Sequence, residues 1–402
     1  MTPPAQSPWA LLRLISGHVC LHASMAGMRL AAPLWALQQG YGPLAVGSLL
    51  SLFSLSQVFL ALPAGRFADR HGLRKPVSWA VGASMAGPVV AVLFPSFEAL
   101  CIAALMMGGA TGAAAIALQR HVGRAAADAT DLRRVFSWLS IGPAVSNFLG
   151  PVCAGLLIDH AGVWSGGQVA DAQGFTVAFA FTALLPCLAW WCVRSSQELQ
   201  RVPQPAGGPA SAWPLLRDPM MRRLLLVNWL LSSCWDVHTF VVPVLGHERG
   251  FSASVIGTIL GAFAVAAAVV RVFLPLMAAR LREWAVVTSA MVITAVLFAV
   301  YPFMPTPWAM GACSVLLGLT LGTVQPMIMS TLHQITPHAL HGQAIALRLM
   351  TINLSSVLMP MFFGTAGVVV GVSVVFWTVG ALVGLGSHAA FGLRAGTQSG
   401  SP

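Results

Sequence analysis

Charged residues are scarce in this chain: Asp, Glu, Lys and Arg together make up 8% of its 402 residues. Soluble globular proteins carry about 25%. With 57% apolar residues and a mean hydropathy of +0.80, the chain has too few polar side chains to cover a surface in water. The composition therefore excludes an ordinary soluble protein and predicts a membrane protein that crosses the bilayer many times.

Three further absences narrow the function. The chain has no Gly-x-x-x-x-Gly-Lys-Ser/Thr loop, so we expect no ATP-driven step within it. Its seven cysteines lie in apolar segments without paired metal-ligand spacing, and we expect no disulfide framework, no metal and no cofactor. The first apolar stretch follows no basic segment and contains His18, His22 and Arg29, which is typical of a retained span rather than a cleaved signal.

Long apolar runs punctuated by glycine and proline fit membrane-spanning helices of about 20 residues better than the shorter alternating strands of a barrel. Twelve such runs are present, over residues 11–38, 43–64, 76–96, 98–119, 135–158, 175–193, 222–246, 253–275, 285–304, 307–331, 343–369 and 371–392. The sequence thus predicts an all-α membrane protein with twelve transmembrane helices.

Apart from Arg29, Arg271 and Arg348, the basic residues lie almost entirely on one side of the predicted bundle. Seventeen are on that side, namely Arg13, Arg66, Arg70, Arg74, Lys75, Arg120, Arg124, Arg133, Arg134, Arg194, Arg201, Arg217, Arg222, Arg223, Arg280, Arg282 and Arg394. Only Arg249 is on the other. Because basic loops stay in the cytoplasm, we expect both termini there, in a multi-pass protein of the plasma (inner) membrane. The net charge of +10 then reflects topology and attraction to the lipid bilayer, not a nucleic-acid partner.

The chain divides into two related halves. Residues 194–221 form the longest polar, Pro/Gly-rich segment, which we interpret as a cytoplasmic central loop between an N-terminal half, 1–193, and a C-terminal half, 222–402. An offset of 210 superposes the halves, placing for example Gly40 on Gly250, Pro33 on Pro243 and Phe53 on Phe263. This repeat predicts two pseudo-symmetric six-helix bundles.

Between the second and third spans stands Gly65-Arg66-Phe67-Ala68-Asp69-Arg70-His71-Gly72-Leu73-Arg74-Lys75. Its spacing predicts a tight turn with glycine at its ends, an acid that caps a helix and basic residues that anchor to headgroups. The segment resembles the signature loop of the major facilitator superfamily, Gly-x-x-x-Asp-Arg/Lys-x-Gly followed by basic residues. Leu73 departs from it, because a basic residue is usual there.

The resemblance covers the whole chain and implies a secondary transporter with two six-helix halves. It also implies a conformational latch on the cytoplasmic side, formed by Gly65, Asp69, Arg70, Gly72 and Arg74 with a contact from Asp69 to Arg348. A second signature, Gly150, Pro151 and Gly155 in span five, resembles the Gly-Pro motif of the superfamily's exporters, although close helix packing explains these residues equally well. Against export, span four lacks the Arg-x-x-Gln-Gly element that many exporters carry.

Two polar stripes are candidates for the substrate and proton pathway. His18, His22, Met25 and Arg29 share one face of span one, and the repeat offset relates them to Asn228, Ser232, Trp235 and Thr239 in span seven. Asp236 is the acid placed deepest in a span, near the level of Arg29, so the two are predicted to pair or to alternate between each other and the substrate. Burial without a fixed cation favours a protonated carboxyl, and a permanent arginine partner favours the carboxylate, so both possibilities stay open. His238 and Gln325 are weaker candidates.

These features predict a secondary active transporter that moves a small organic solute by alternating access, with proton-coupled efflux as the first interpretation and a proton-coupled uptake symporter as the alternative. An intramembrane enzyme and a non-transporting sensor are remote alternatives, because no span pairs Ser or Cys with His and an acid in a recognisable motif. We therefore expect the chain to have no enzyme activity. We expect its partners to be a small-molecule substrate and protons, and we expect it to be a monomer.

Overall fold

The computed structural model describes residues 8–125, 129–164, 171–196, 213–277, 282–336 and 341–394, together with Gly166, Val169 and Glu198. All regular structure in these ranges is helical. The long helices are α1 (Pro8–Gln38), α2 (Pro43–His71), α3 (Arg74–Leu93), α4 (Phe97–Ala125), α5 (Ala129–Trp164), α6 (Ala172–Val193), α7 (Pro219–Glu248), α8 (Ala253–Met277), α9 (Glu283–Val300), α10 (Pro307–Ile335), α11 (His341–Val370) and α12 (Val372–Phe391). Short 3-10 helices, Trp213–Arg217 and Tyr301–Phe303, precede α7 and follow α9. The prediction of twelve helices is confirmed.

Each predicted span overlaps one helix, but several helices are longer than the apolar run. The second run ends at residue 64 in the sequence, whereas α2 continues to His71. The fifth run covers 135–158, whereas α5 covers Ala129–Trp164. Hydropathy detects only the segment in the hydrocarbon layer, while backbone hydrogen bonding carries the helix on into the headgroup region.

Within the described residues, eleven helices are long and apolar enough to cross a membrane. The remaining long helix is α1, which carries Arg13 and Arg29 as well as two histidines. Because it packs against α5 and α6, other helices cover much of its surface.

The chain forms two compact units. The first contains Met1–Pro203 and Gly246–Gly261. In it α1 packs against α5 and α6, α2 against α4, and α3 against α4 and α6. The core of this unit is a cluster of buried apolar side chains that includes Leu14, Leu21, Val77, Leu118 and Val193.

The second unit contains Gln204–Leu245 and Ala262–Pro402, with α9 packed against α10 and α12. Its buried residues include an aromatic cluster, in which the ring of Phe376 stacks on Tyr301 at 4.6 Å and meets Phe298 edge-on at 5.0 Å. Residues 199–212 of the predicted central loop lie outside the described residues, so the division at 194–221 stays a prediction.

The turns that follow α1 and α7 have matching backbone geometry. Gly40 has a φ of 85° and Gly250 a φ of 72°. In both turns the glycine N–H donates to the carbonyl three residues earlier, and the next N–H donates to the carbonyl five residues before it. This is the Schellman motif, whose left-handed position favours glycine. The sequence repeat at an offset of 210 is therefore repeated in the backbone at these turns.

Candidate functional site

The polar stripe of α1 lies within the first unit. The rings of His18 and His22 are 6.0 Å apart between centroids. One turn further on, the sulfur of Met25 accepts a hydrogen bond from Nε2 of Gln57 on α2, at 3.7 Å. Arg29 is half-buried. Polar and charged groups on an apolar helix are costly in a membrane and mark functional sites. The pathway role of His22 and Arg29 stays a prediction.

The carboxylate of Asp236 lies between α7 and α11 and is 7% exposed. Oγ of Ser355 donates to its Oδ2 at 3.0 Å, and Oγ of Ser356 donates to its Oδ1 at 3.1 Å. Ser233, on α7, contacts Ser355 at 3.2 Å. A hydroxyl can donate to a carboxylate or accept from a carboxylic acid. The two serines can therefore stabilise Asp236 in either protonation state.

A second polar contact joins the same two helices nearer their N-termini. Nε of Arg348 on α11 donates to Oδ1 of Asn228 on α7 at 3.1 Å. The two residues are 4% and 3% exposed. The side chain of Asp69, the predicted latch partner of Arg348, lies outside the described residues, so that latch stays a prediction.

His238 follows Asp236 by two residues and packs against different helices. Its Nε2 is 2.9 Å from Oγ of Ser314 on α10, and its ring stacks on Phe263 of α8 at 4.1 Å. Trp235 meets the same Phe263 edge-on at 4.5 Å. With 0% exposure, His238 belongs to the core of the second unit. Its predicted pathway role is not tested by this position.

The signature segment forms a shorter turn than the sequence predicts. The helix α2 continues through Gly65, and the chain leaves it at Gly72, where φ is 78°. The acid that caps the N-terminus of α3 is Glu198, which accepts hydrogen bonds from the backbone N–H of Leu73 at 2.8 Å and of Arg74 at 2.6 Å. An acid from beyond α6 thus caps α3. The side chain of Asp69, the predicted capping acid, lies outside the described residues, so its cap stays a prediction.

Two arginines tie the signature segment to other parts of the first unit. Nε of Arg74 donates to the carbonyl of Ser196 at 2.8 Å. Nη1 of Arg120 donates to the carbonyl of Ala68 at 3.0 Å. Arg70 is exposed. The segment therefore packs on α4 and on the chain that leaves α6.

The Gly-Pro segment of α5 packs against two backbones. A Cβ on Gly150 would lie 2.5 Å from a carbonyl oxygen of α1, and one on Gly155 would lie 2.5 Å from the carbonyl oxygen of Ala253 in α8. Conversely, a Cβ on Gly257 of α8 would lie 2.4 Å from the carbonyl oxygen of Pro151. Real Cβ atoms do not approach backbone so closely, so α5 and α8 touch here through their glycines.

One turn beyond this contact, Asp159 caps α8. Its Oδ1 accepts from the N–H of Ala253 at 3.1 Å and its Oδ2 from the N–H of Ser254 at 2.7 Å. The first N–H groups of a helix have no partner within the helix and carry a partial positive charge, so a carboxylate suits them. Asp159 is 3% exposed.

The sequence profile of the Major Facilitator Superfamily matches residues 14–252 and 224–401. The chain belongs to the Major Facilitator Superfamily. No curated protein sequence matches it. The earlier resemblance is confirmed over nearly the whole chain.

Solved structures of superfamily transporters share the fold. A bacterial homologue of the human lysosomal transporter Spinster, inward-facing and unoccupied, superposes with a TM-score of 0.81 at 13% identity, covering 99% of this chain and 100% of that one. A POT family transporter with a bound thioalcohol-conjugated peptide gives 0.79 at 13% identity, covering 96% of each chain. The nucleoside transporter NupG gives 0.70 at 13% identity, covering 96% of this chain and 99% of that one.

Sequence reasoning on this superfamily member missed several polar partners. Ser355 and Ser356 were not predicted, although a pair of serines inside an apolar run is a visible signal. Glu198 and Asp159 carry no local signal, since each caps a helix that is distant in the sequence. Gln325, a predicted pathway residue on α10, is exposed and its role stays a prediction.

Proposed function

We propose that the chain is a proton-coupled secondary transporter that exports a small organic solute by alternating access. The observation that carries the coupling is Asp236, a nearly buried carboxylate in a membrane helix whose two oxygens each receive a serine hydroxyl. An ionisable group at this depth in a transporter is typical of a proton relay. The predicted pairing of Asp236 with Arg29 stays a prediction.

Two observations bear on whether the solute is exported or taken up. The Gly150-Pro151 and Gly155 contacts belong to a segment that resembles an exporter motif, which favours efflux. The second candidate is a proton-coupled uptake symporter, which the uncharged run Met106–Leu118 of α4 favours.

We further propose that the protein lies in the plasma (inner) membrane as a monomer with both termini cytoplasmic. The asymmetry of the basic loops supports this orientation. The proposed partners are lipid, protons and the solute, with neither nucleic acid nor enzyme chemistry involved. A POT family transporter with a bound peptide conjugate and a nucleoside transporter share the fold, which supports a small organic solute.

The test is solute transport by the purified full chain in proteoliposomes, with internal pH followed by a trapped dye. Export by proton exchange predicts that an acidic lumen drives solute uptake into the vesicles, whereas symport predicts that an acidic exterior does so. Asp236→Asn should abolish the proton flux while solute exchange between equal concentrations continues. The matched control is Asp218→Asn, because Asp218 is an acid that caps the start of α7.

Proton flux in Asp236→Asn equal to that of the wild type would refute the coupling role of Asp236. The absence of exchange for every compound of a broad library would refute transport itself and favour a sensor.

A further inference from the structure

The contact between Arg348 on α11 and Asn228 on α7 leaves most of the donors of both side chains unused. One bond joins them, from Nε to Oδ1. Across the ranges that the structure describes, Nη1 and Nη2 of Arg348 have no hydrogen-bond acceptor. The amide nitrogen Nδ2 of Asn228 is buried and likewise has none there. Two nearly buried side chains therefore share a site with three open donor nitrogens.

The chemistry of the pair fixes which atoms are donors. A guanidinium only donates, so the amide oxygen of Asn228 must face Nε of Arg348, and the other amide corner is the NH₂ group. The open groups are thus all donors, and two of the three nitrogens belong to a permanent cation. Any ligand that satisfies them has to bring acceptors and negative charge.

Arg348 lies at the start of a membrane span and is 4% exposed. It is the second residue of the apolar span Leu347–Thr365. Arginines in membrane spans are rare, and they pair with other groups or line substrate pathways. Among the described side chains, no carboxylate forms an ion pair with Arg348. The planar fork of an arginine matches a carboxylate or phosphate through two parallel hydrogen bonds.

This site is separate from the one at Asp236. Asn228 precedes Asp236 by eight residues on α7, or about 12 Å at 1.5 Å per residue. Arg348 precedes Ser355 by seven residues on α11, or about 10 Å. The interface of α7 and α11 therefore has a cationic layer near the helix starts and an acidic layer further along.

We propose that Arg348 and Asn228 bind the anionic group of the transported solute, whose class is then a small organic carboxylate or phosphate ester. This inference rests on the proposed transport function and names its substrate class. It gives Arg348 a role in binding in place of the predicted latch contact with Asp69. A lipid headgroup could offer the same phosphate chemistry, and the experiment separates the two sources.

The experiment measures thermal unfolding of the purified full chain in detergent with matched probes. Benzoate, hexanoate and phenyl phosphate are each compared with the corresponding neutral amide or alcohol. We expect acids, and not their neutral partners, to raise the unfolding midpoint saturably. Arg348→Gln should weaken acid binding about tenfold or more, because a charge-assisted hydrogen-bonded pair is lost. Arg348→Lys should retain part of the affinity.

Two further variants separate binding from folding. Arg271→Gln is the control, because Arg271 is another membrane arginine of the second unit and its Nε is bonded to the carbonyl of Gly322 at 3.2 Å. It should keep the affinity for acids. Asn228→Asp places a carboxylate against Arg348 and neutralises it internally. We expect this variant to lose acid binding while unfolding at or above the temperature of the wild type, which a purely structural role does not predict.

Several outcomes would overturn the proposal. One is that no acid stabilises the protein more than its neutral partner, and another is that Arg348→Gln binds acids as the wild type does. A third is that added phosphatidylglycerol alone gives the Arg348-dependent stabilisation while soluble acids are inert, which would assign the site to lipid. Acids that bind without being exchanged in proteoliposomes would refute transport and leave the site standing. If neutral solutes are exchanged at the same rate by the wild type and by Arg348→Gln, the anion site is refuted while the proposed transport function is supported.

Discussion

Asp159 and Ser254 lie 95 positions apart, yet the carboxylate of the first accepts the backbone N–H of the second at 2.7 Å. The other carboxylate oxygen accepts from Ala253 at 3.1 Å, so both oxygens serve the N-terminus of α8. This cap and the close contacts of Gly155 with Ala253 and of Gly257 with Pro151 attach the segment Gly246–Gly261 to α5.

We expect Asp159→Asn to loosen the start of α8. An amide has one acceptor oxygen, so it can replace only one of the two hydrogen bonds and presents an NH₂ group to the other N–H. Hydrogen exchange, followed by mass spectrometry on peptides covering Ala253 and Ser254, should become roughly tenfold faster.

The control for this variant is Asp171→Asn. Asp171 caps α6 through a single oxygen, Oδ1, which accepts from the N–H of Gly174 at 2.8 Å. Asparagine caps helices about as well as aspartate in that arrangement, so exchange at the start of α6 should change little. Unchanged exchange at α8 in Asp159→Asn would contradict the cap.

Gly257→Ala should push α5 and α8 apart. The added Cβ would meet the carbonyl oxygen of Pro151 at 2.4 Å, and backbone cannot rotate away as a side chain can. We expect a loss of about 1–3 kcal/mol of stability, measured by thermal or denaturant unfolding in detergent.

Gly311→Ala is the matched control for this prediction, because Gly311 lies inside α10 and its Cβ would meet nothing within 4 Å. It should stabilise the protein slightly, by about 0.5–1 kcal/mol, through the lower entropy of alanine in the unfolded chain. Equal effects of the two substitutions would mean that the α5–α8 contact is looser than described.

Ser314→Ala should destabilise the second unit without changing transport affinity. Its Oγ is 2.9 Å from Nε2 of His238, and this ring is fully buried. Removing the hydroxyl leaves that nitrogen without its partner, at a cost of about 1–3 kcal/mol. The unfolding midpoint should fall, and the KM of any transported solute should stay at the wild-type value.

Ser289→Ala on α9 is the corresponding control, since Ser289 is exposed and its hydroxyl bonds only within its own helix, to Ala285. It should leave the midpoint unchanged. A large rise in KM for Ser314→Ala would instead favour the predicted pathway role of His238.

The fold was largely predictable because lipid imposes simple rules on sequence. Hydrocarbon demands long apolar helices, so each of the twelve runs overlaps one of α1 to α12. The repeat placed Gly40 on Gly250, and both glycines lie in matching turns. The helix ends were predicted wrongly. For example, α2 continues beyond Gly65, because backbone hydrogen bonding does not stop where hydropathy falls.

The candidate site was predictable only residue by residue. Asp236 and Arg348 stood out because charge is rare in the spans. Their partners did not: Ser355 and Asn228 are ordinary polar residues whose significance depends on which helices pack together. Caps such as Glu198 on α3 join segments far apart in the chain, and no local pattern specifies such a pairing.

The polar stripe of α1 also bears on how the protein is made. This helix precedes the other long helices described here in the chain, yet it is the long helix that does not qualify as a span by its own composition within the described residues. Its main packing partners, α5 and α6, are synthesised later. We therefore expect α1 to be weakly inserted in the bilayer until α5 and α6 have been synthesised. Truncated chains that end before α5 should be degraded, while chains that include α5 and α6 should persist. The scarce polar residues of this helix thus set a minimum length of nascent chain for stable insertion.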